Sequence, residues 1–113
     1  MSTRGNGMPS AIETFLFGQY GTHAVIEIGL SERRLSLAVA PWVSLDARVD
    51  VAFSQVRITS VEVYADNADD LNLPWDIIGF DCRPLSDGRW EFVLHCAGIE
   101  YVYEALWPER ISR

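Results

Sequence analysis

The chain has 113 residues, 49% hydrophobic and 12% aromatic, a composition that fits one globular domain around a single core and excludes a disordered chain. Its formal net charge of −7 and pI near 4.6 exclude nucleic acid and anionic membrane surfaces as partners, because both demand a basic face. No apolar run approaches the roughly 18 residues of a membrane helix, and the N-terminus has no signal-peptide core, so a cytoplasmic location is expected.

In chain order, residues 1–10 carry Gly5, Gly7 and Pro9 and read as a flexible leader to a single domain over 11–113. Ala11 to Tyr20 places Ile12, Phe15 and Leu16 at helical spacing, while Phe17, Gly18 and Gly21 suit a short strand equally. The first strand is expected over His23 to Leu30 and the second from Leu35 to Ala40, with Ser31-Glu32-Arg33 as the turn and Pro41 as the stop. Val49, Val51 and Phe53 alternate with Asp50, Ala52 and Ser54 in a further strand. Val56, Ile58, Val61 and Val63 follow, as one bulged strand or as two. Ala65 to Trp75 is the longest break, rich in Asp and Asn and holding Pro74.

Ile77 to Pro108 spells out a three-stranded antiparallel meander. Ile78, Phe80 and Cys82 alternate with polar residues, as do Trp90, Phe92, Leu94 and Cys96, the period-two pattern of a strand with one buried face. Ser86-Asp87-Gly88 suits a three-residue loop, a type I turn closed by a left-handed Gly. That loop sets Cys82 opposite Phe92, and a second turn at Ala97-Gly98 sets Phe92 opposite Tyr103 and His95 opposite Glu100. Cys82 and Cys96 are then not opposed, and both read as reduced core residues. In all, about six to eight strands spaced by about ten residues, with at most one short helix, predict an all-β, single-domain antiparallel sandwich or small barrel.

The sharpest charge asymmetry lies between Ile58 and Cys82, where Glu62, Asp66, Asp69, Asp70, Asp76 and Asp81 occur without one Lys or Arg. Such a segment is a solvated loop or a docking patch for a basic protein, with Trp75, or Trp42 beside Pro41, as aromatic anchor. Calcium is the weaker reading, since Asp66-Asn67-Ala68-Asp69-Asp70 lacks the Gly and terminal Glu of an EF-hand loop. The other polar cluster is the meander face with Glu91, His95, Glu100 and Glu104, where a His–Glu pair is a general-base candidate or a plain cross-strand charge contact. The Cys and His spacing has no paired zinc unit, no Ser sits in a nucleophile elbow, and no Gly-rich phosphate loop occurs. No metal, cofactor or catalytic residue is therefore assigned.

Ile78-Gly79-Phe80-Asp81-Cys82, Trp90 to Cys96 and Ile99-Glu100-Tyr101, together with Val51-Ala52-Phe53 and Val56, resemble the corresponding parts of small bacterial all-β proteins of unknown function. Some members of that group are similar to immunity proteins that neutralise contact-dependent toxins. The resemblance implies a non-enzymatic inhibitor that takes one cognate toxin through a charge-complementary face, and an acidic chain suits a basic target. On charge, the binding residues are Glu62, Asp66, Asp69, Asp70, Trp75 and Asp76, with Glu91, His95, Glu100 and Glu104 as the alternative face. The competing reading is a carrier whose aromatic-lined cavity holds an apolar small ligand. An unprotected edge strand is a route to homo-oligomers.

Overall fold

A computed structural model of the protein describes residues 15–17 and 21–111. The expected leader over 1–10 lies outside them, as does the 11–20 segment apart from Phe15, Leu16 and Phe17. The strands are β1 His23–Ser31, β2 Arg34–Pro41, β3 Val49–Phe53, β4 Arg57–Val63, β5 Trp75–Pro84, β6 Arg89–Cys96, β7 Ile99–Leu106 and β8 Glu109–Ile111, with a short 3-10 turn over Ala68–Leu71. They form one open antiparallel sheet in the order β4-β7-β6-β5-β1-β2-β3-β8. Among the described residues, no helix is long and apolar enough to cross a membrane.

The sheet folds over on itself. β3 and β6 are four strand spacings apart, which is about 19 Å in a flat sheet. Yet the rings of Phe53 and Phe92 lie 4.8 Å apart, and Phe53 also meets Tyr103 at 5.2 Å. The half made of β1, β2, β3 and β8 therefore faces the half made of β5, β6, β7 and β4, giving a sandwich from a single sheet. The corner is the short β1–β5 ladder, Ala24↔Asp76 and Val25↔Trp75, next to a bulge between Val25 and Glu27 that bends β1. Phe17 packs between the layers at 4.8 Å from Phe80 and 5.5 Å from Trp107. Full burial of such side chains stabilises by roughly 1.5–3 kcal/mol each, so the aromatic cluster fastens the two halves.

The meander has the expected register: Cys82↔Phe92, Phe92↔Tyr103, Leu94↔Tyr101 and His95↔Glu100. Its first turn differs in hand. Asp87 and Gly88 both take positive φ, +61° and +76°, the sign pattern of a type I′ turn instead of type I. Asp tolerates the left-handed region, and that hand matches the twist of the flanking strands. The Val56, Ile58, Val61 and Val63 run resolves into one strand, β4, which starts after Val56 at Arg57 and is bulged between Ile58 and Ser60. It sits on the far edge of the sheet, against β7, while β3 stays beside β2. Trp107-Pro108 ends β7, but the chain then turns, and Glu109–Ile111 pairs with Asp50–Ala52. Three residues carry no periodicity that could announce this last strand.

Candidate functional site

Strand directions divide the charges between two ends of the sheet. β1, β5 and β7 begin, and β2, β4 and β6 finish, at the end that carries the 42–48 and 64–74 connections. Here lie Asp46, Glu62, Asp66, Asp69 and Asp76. Arg33, Arg34, Arg57, Arg83 and Arg89 gather at the opposite end, around the β1–β2, β3–β4 and β5–β6 connections. Glu32 and Asp87 in these turns, with Glu91 and Glu104 on the adjoining strands, offset most of that positive charge, so the net negative charge of the described residues lies toward the acidic end.

The acidic end is also where large apolar side chains reach solvent. Val43 is 95% exposed and Trp42 40%, and Leu45, Tyr64 and Leu73 are exposed as well. The two connections are tied together: the Trp42 indole N–H donates to Asp76 Oδ1 over 2.8 Å. The Trp42 amide donates to the Thr22 carbonyl at 3.0 Å, which carries the β1–β2 ladder one step past the strand ends. Asn67 caps the 3-10 turn by accepting from the Asp69 amide at 3.1 Å, and this leaves Asp66 and Asp69 facing solvent.

The six residues assigned on charge are placed unequally. Glu62, Asp66, Asp69 and Asp76 share the acidic end, while the Asp70 side chain lies outside the described residues. Trp75 is half-buried: its indole N–H donates to the Leu71 carbonyl at 2.8 Å and its ring stacks on Tyr101 at 6.2 Å. It closes the 64–74 connection from inside, and Trp42 is the indole that faces outward. The sequence signal for Trp42, Val43 and Leu45 was an apolar run lodged between two strands, where turn residues are the rule.

The alternative face, on the outside of β6 and β7, is built in rows. Arg57, Glu104, Glu91 and Arg83 stand side by side across β4, β7, β6 and β5, with Arg83 bonded to Glu91 at 2.8 Å. This row cancels its own charge. Two rows on, Glu62, Glu100 and His95 are neighbours. His95 Nδ1 stands 4.0 Å from Glu100 Oε2, a loose contact beyond the roughly 2.6–3.2 Å needed to pass a proton. Tyr64 completes the group, donating to Glu62 Oε2 at 3.3 Å with its ring 6.0 Å from His95. Desolvation, then the charges of Glu100 and Glu62, raise the Tyr64 phenol above its ordinary range.

On the outside of the other half, Arg48 bridges Glu27 at 2.9 Å and Asp50 at 2.6 Å. Ala38 lies between these two carboxylates in the register, and its small side chain leaves room for the guanidinium. Beside the bridge runs an open groove of about 320 Å³ floored by Gly29, Ser36 and Ala38. Among the described residues no three His, Cys, Asp or Glu side chains converge as a metal-holding group. Neither Cys82 nor Cys96 is joined in a disulfide. The chain matches no protein-family model, no curated protein and no solved structure.

Proposed function

We propose that the protein is a non-enzymatic protein-binding module, of the kind represented by bacterial immunity proteins, and that its acidic end docks a basic partner such as a toxin. One observation carries the reading. Exposed Trp42, Val43, Leu45, Tyr64 and Leu73 share one end of the sheet with Glu62, Asp66, Asp69 and Asp76, and Arg48, the one arginine there among the described residues, is held by Glu27 and Asp50. Apolar side chains among uncompensated carboxylates supply the two ingredients of an interface: contact area at its centre and a field that steers an oppositely charged partner. The aromatic side chains that a carrier would need as cavity lining instead pack on one another, Phe17, Phe53, Phe80, Phe92 and Tyr103 among them.

The test is affinity capture from cells of the source organism with the wild type and with Trp42→Ala and Asp66→Arg/Asp69→Arg variants, each first shown to be folded at the temperature of the assay. A basic protein retained by the wild type and lost by both variants supports the proposal. Capture that both variants leave unchanged, or a co-purifying apolar metabolite with no protein partner, overturns it.

A further inference from the structure

The sheet has a long open edge at β4, and its pattern is self-complementary. The Tyr64 amide donates to the Gly98 carbonyl at 2.8 Å, toward β7. Main-chain groups alternate sides along an antiparallel strand, so those of Glu62 and Ser60 also point to β7 and those of Val61 and Val63 point to the open edge. Across the bulge, Arg57 is paired with Glu104 and Ile58 with Tyr103. Glu100, Val102 and Glu104 all turn their main-chain groups to β4, so Arg57 points inward to β7 and Ile58 to the open edge. Among the described residues no strand occupies that edge. Val61 and Val63 are 47% and 54% exposed on it.

We propose that a second copy of this chain covers the edge, pairing β4 with β4 antiparallel about a two-fold axis, with Ile58 opposite Val61 of the second copy and Arg57 opposite Glu62 of the second copy. Three independent features agree on this register. Ile58 and Val61 both direct main-chain donors and acceptors outward, so each copy completes the other's ladder. Both side chains lie on the inner face of the sheet, in line with Tyr103 and Tyr101, and the four of them extend the apolar layer across the axis. Arg57 and Glu62 both lie on the outer face, in line with Glu104 and Glu100, so each Arg meets a Glu twice over. The two bulges fall opposite each other at the axis, which keeps equal numbers of residues on both strands.

The charges at the two ends of β4 favour the same arrangement. Antiparallel pairing lays the arginine end of one copy, with Arg57 and Arg89, alongside the acidic end of the other, with Glu62 and Asp66. Sliding the strands until Val61 faces Val63 would instead set Glu62 against Glu62 of the second copy, and like charges directly opposed are unfavourable. An edge-only interface of one strand is small, so the dimer is expected to be weak and concentration-dependent.

Sedimentation equilibrium from micromolar to millimolar protein tests the proposal. The wild type should self-associate to a dimer and no further, because the pairing consumes the edge. Val61→Pro removes an outward amide without breaking the β4–β7 ladder and should leave a monomer. Glu62→Arg should weaken the dimer by about tenfold, two attractive pairs becoming repulsive, and Arg57→Glu/Glu62→Arg should restore it. Should a variant fail to fold, amide exchange of the wild type decides: Ile58 and Val61 amides must gain protection as concentration rises. A wild type that stays monomeric at millimolar concentration overturns the proposal, as does a dimer unmoved by Val61→Pro. So does an edge filled only by an extended segment of another protein.

Discussion

Trp42 donates its indole N–H to Asp76 over 2.8 Å, although the two residues are 34 apart in sequence. Through this bond the connection after β2 is held against the start of β5, at the corner where β1 and β5 share only two paired positions. The ring is left largely outward, fixed in orientation but open to a partner. A preset aromatic side chain loses little freedom on docking, which favours affinity.

Two variants isolate that bond. Trp42→Phe and Asp76→Ala should each cost about 0.5–1.5 kcal/mol in denaturant unfolding, the usual worth of one hydrogen bond. The double variant should cost less than the sum of the two, because both remove the same contact. Strictly additive losses would show that the bond holds nothing.

Much of this architecture was legible in the chain, and the reasons differ by region. The β5-β6-β7 meander could be read in register because Phe80, Phe92 and Tyr103 alternate cleanly and because Gly88 and Gly98 mark its turns. Local signals fix such neighbours. The placement of β4 beside β7, and of Glu109–Ile111 beside β3, depends on packing between the two layers, where Phe53 meets Phe92. No local pattern encodes that. At the acidic end the charges were plain, but which indole faces outward was not. Trp75 turns inward because Leu71 offers it a carbonyl and Tyr101 a ring, and both partners are created only by the closed loop.

The Arg48 bridge makes a second prediction. Asp50 is only 7% exposed, and a buried carboxylate that loses its cation is costly. Arg48→Met should therefore lower the thermal midpoint, with Arg48→Lys falling in between because a point charge cannot fork to Glu27 and Asp50 together. Ala38→Leu should destabilise by about 1–3 kcal/mol through overpacking of the space beneath the guanidinium. Thermal unfolding by circular dichroism reads all three, and an Ala38→Leu protein as stable as wild type would contradict the packing argument.

The two thiols should separate by reactivity. Cys96 is wholly buried, and burial, with a smaller push from Asp76, raises its thiol to about 12. Cys82 is half-buried near the end of β5. A thiol reagent at neutral pH should therefore label at most one cysteine rapidly in the folded protein, Cys82→Ser should abolish that fast phase, and denaturant should expose both. Rapid labelling of Cys96 in the native state would mean that the β6 core opens far more readily than its packing implies.

Tyr103 gives the pH dependence. Its ring is fully buried against Phe53 and Phe92, and its hydroxyl has no hydrogen-bond partner. Burial alone raises the phenol well above its ordinary value. The folded state therefore holds the proton more tightly than the unfolded state does. The stabilisation is complete below the unfolded value near 10 and is lost as pH climbs through the window above it, where only the unfolded chain ionises. Cys96 acts in the same direction between about 9 and its folded value of about 12. Tyr103→Phe removes an unpaired buried hydroxyl, so at pH 7 the variant should match wild type or exceed it by up to about 1 kcal/mol. Above pH 10 its advantage should widen, because the variant no longer has a phenol that pulls the equilibrium toward the unfolded state. Urea unfolding at pH 7 and pH 10.5 measures both terms, and a variant less stable than wild type at pH 7 would show that the hydroxyl does find a partner.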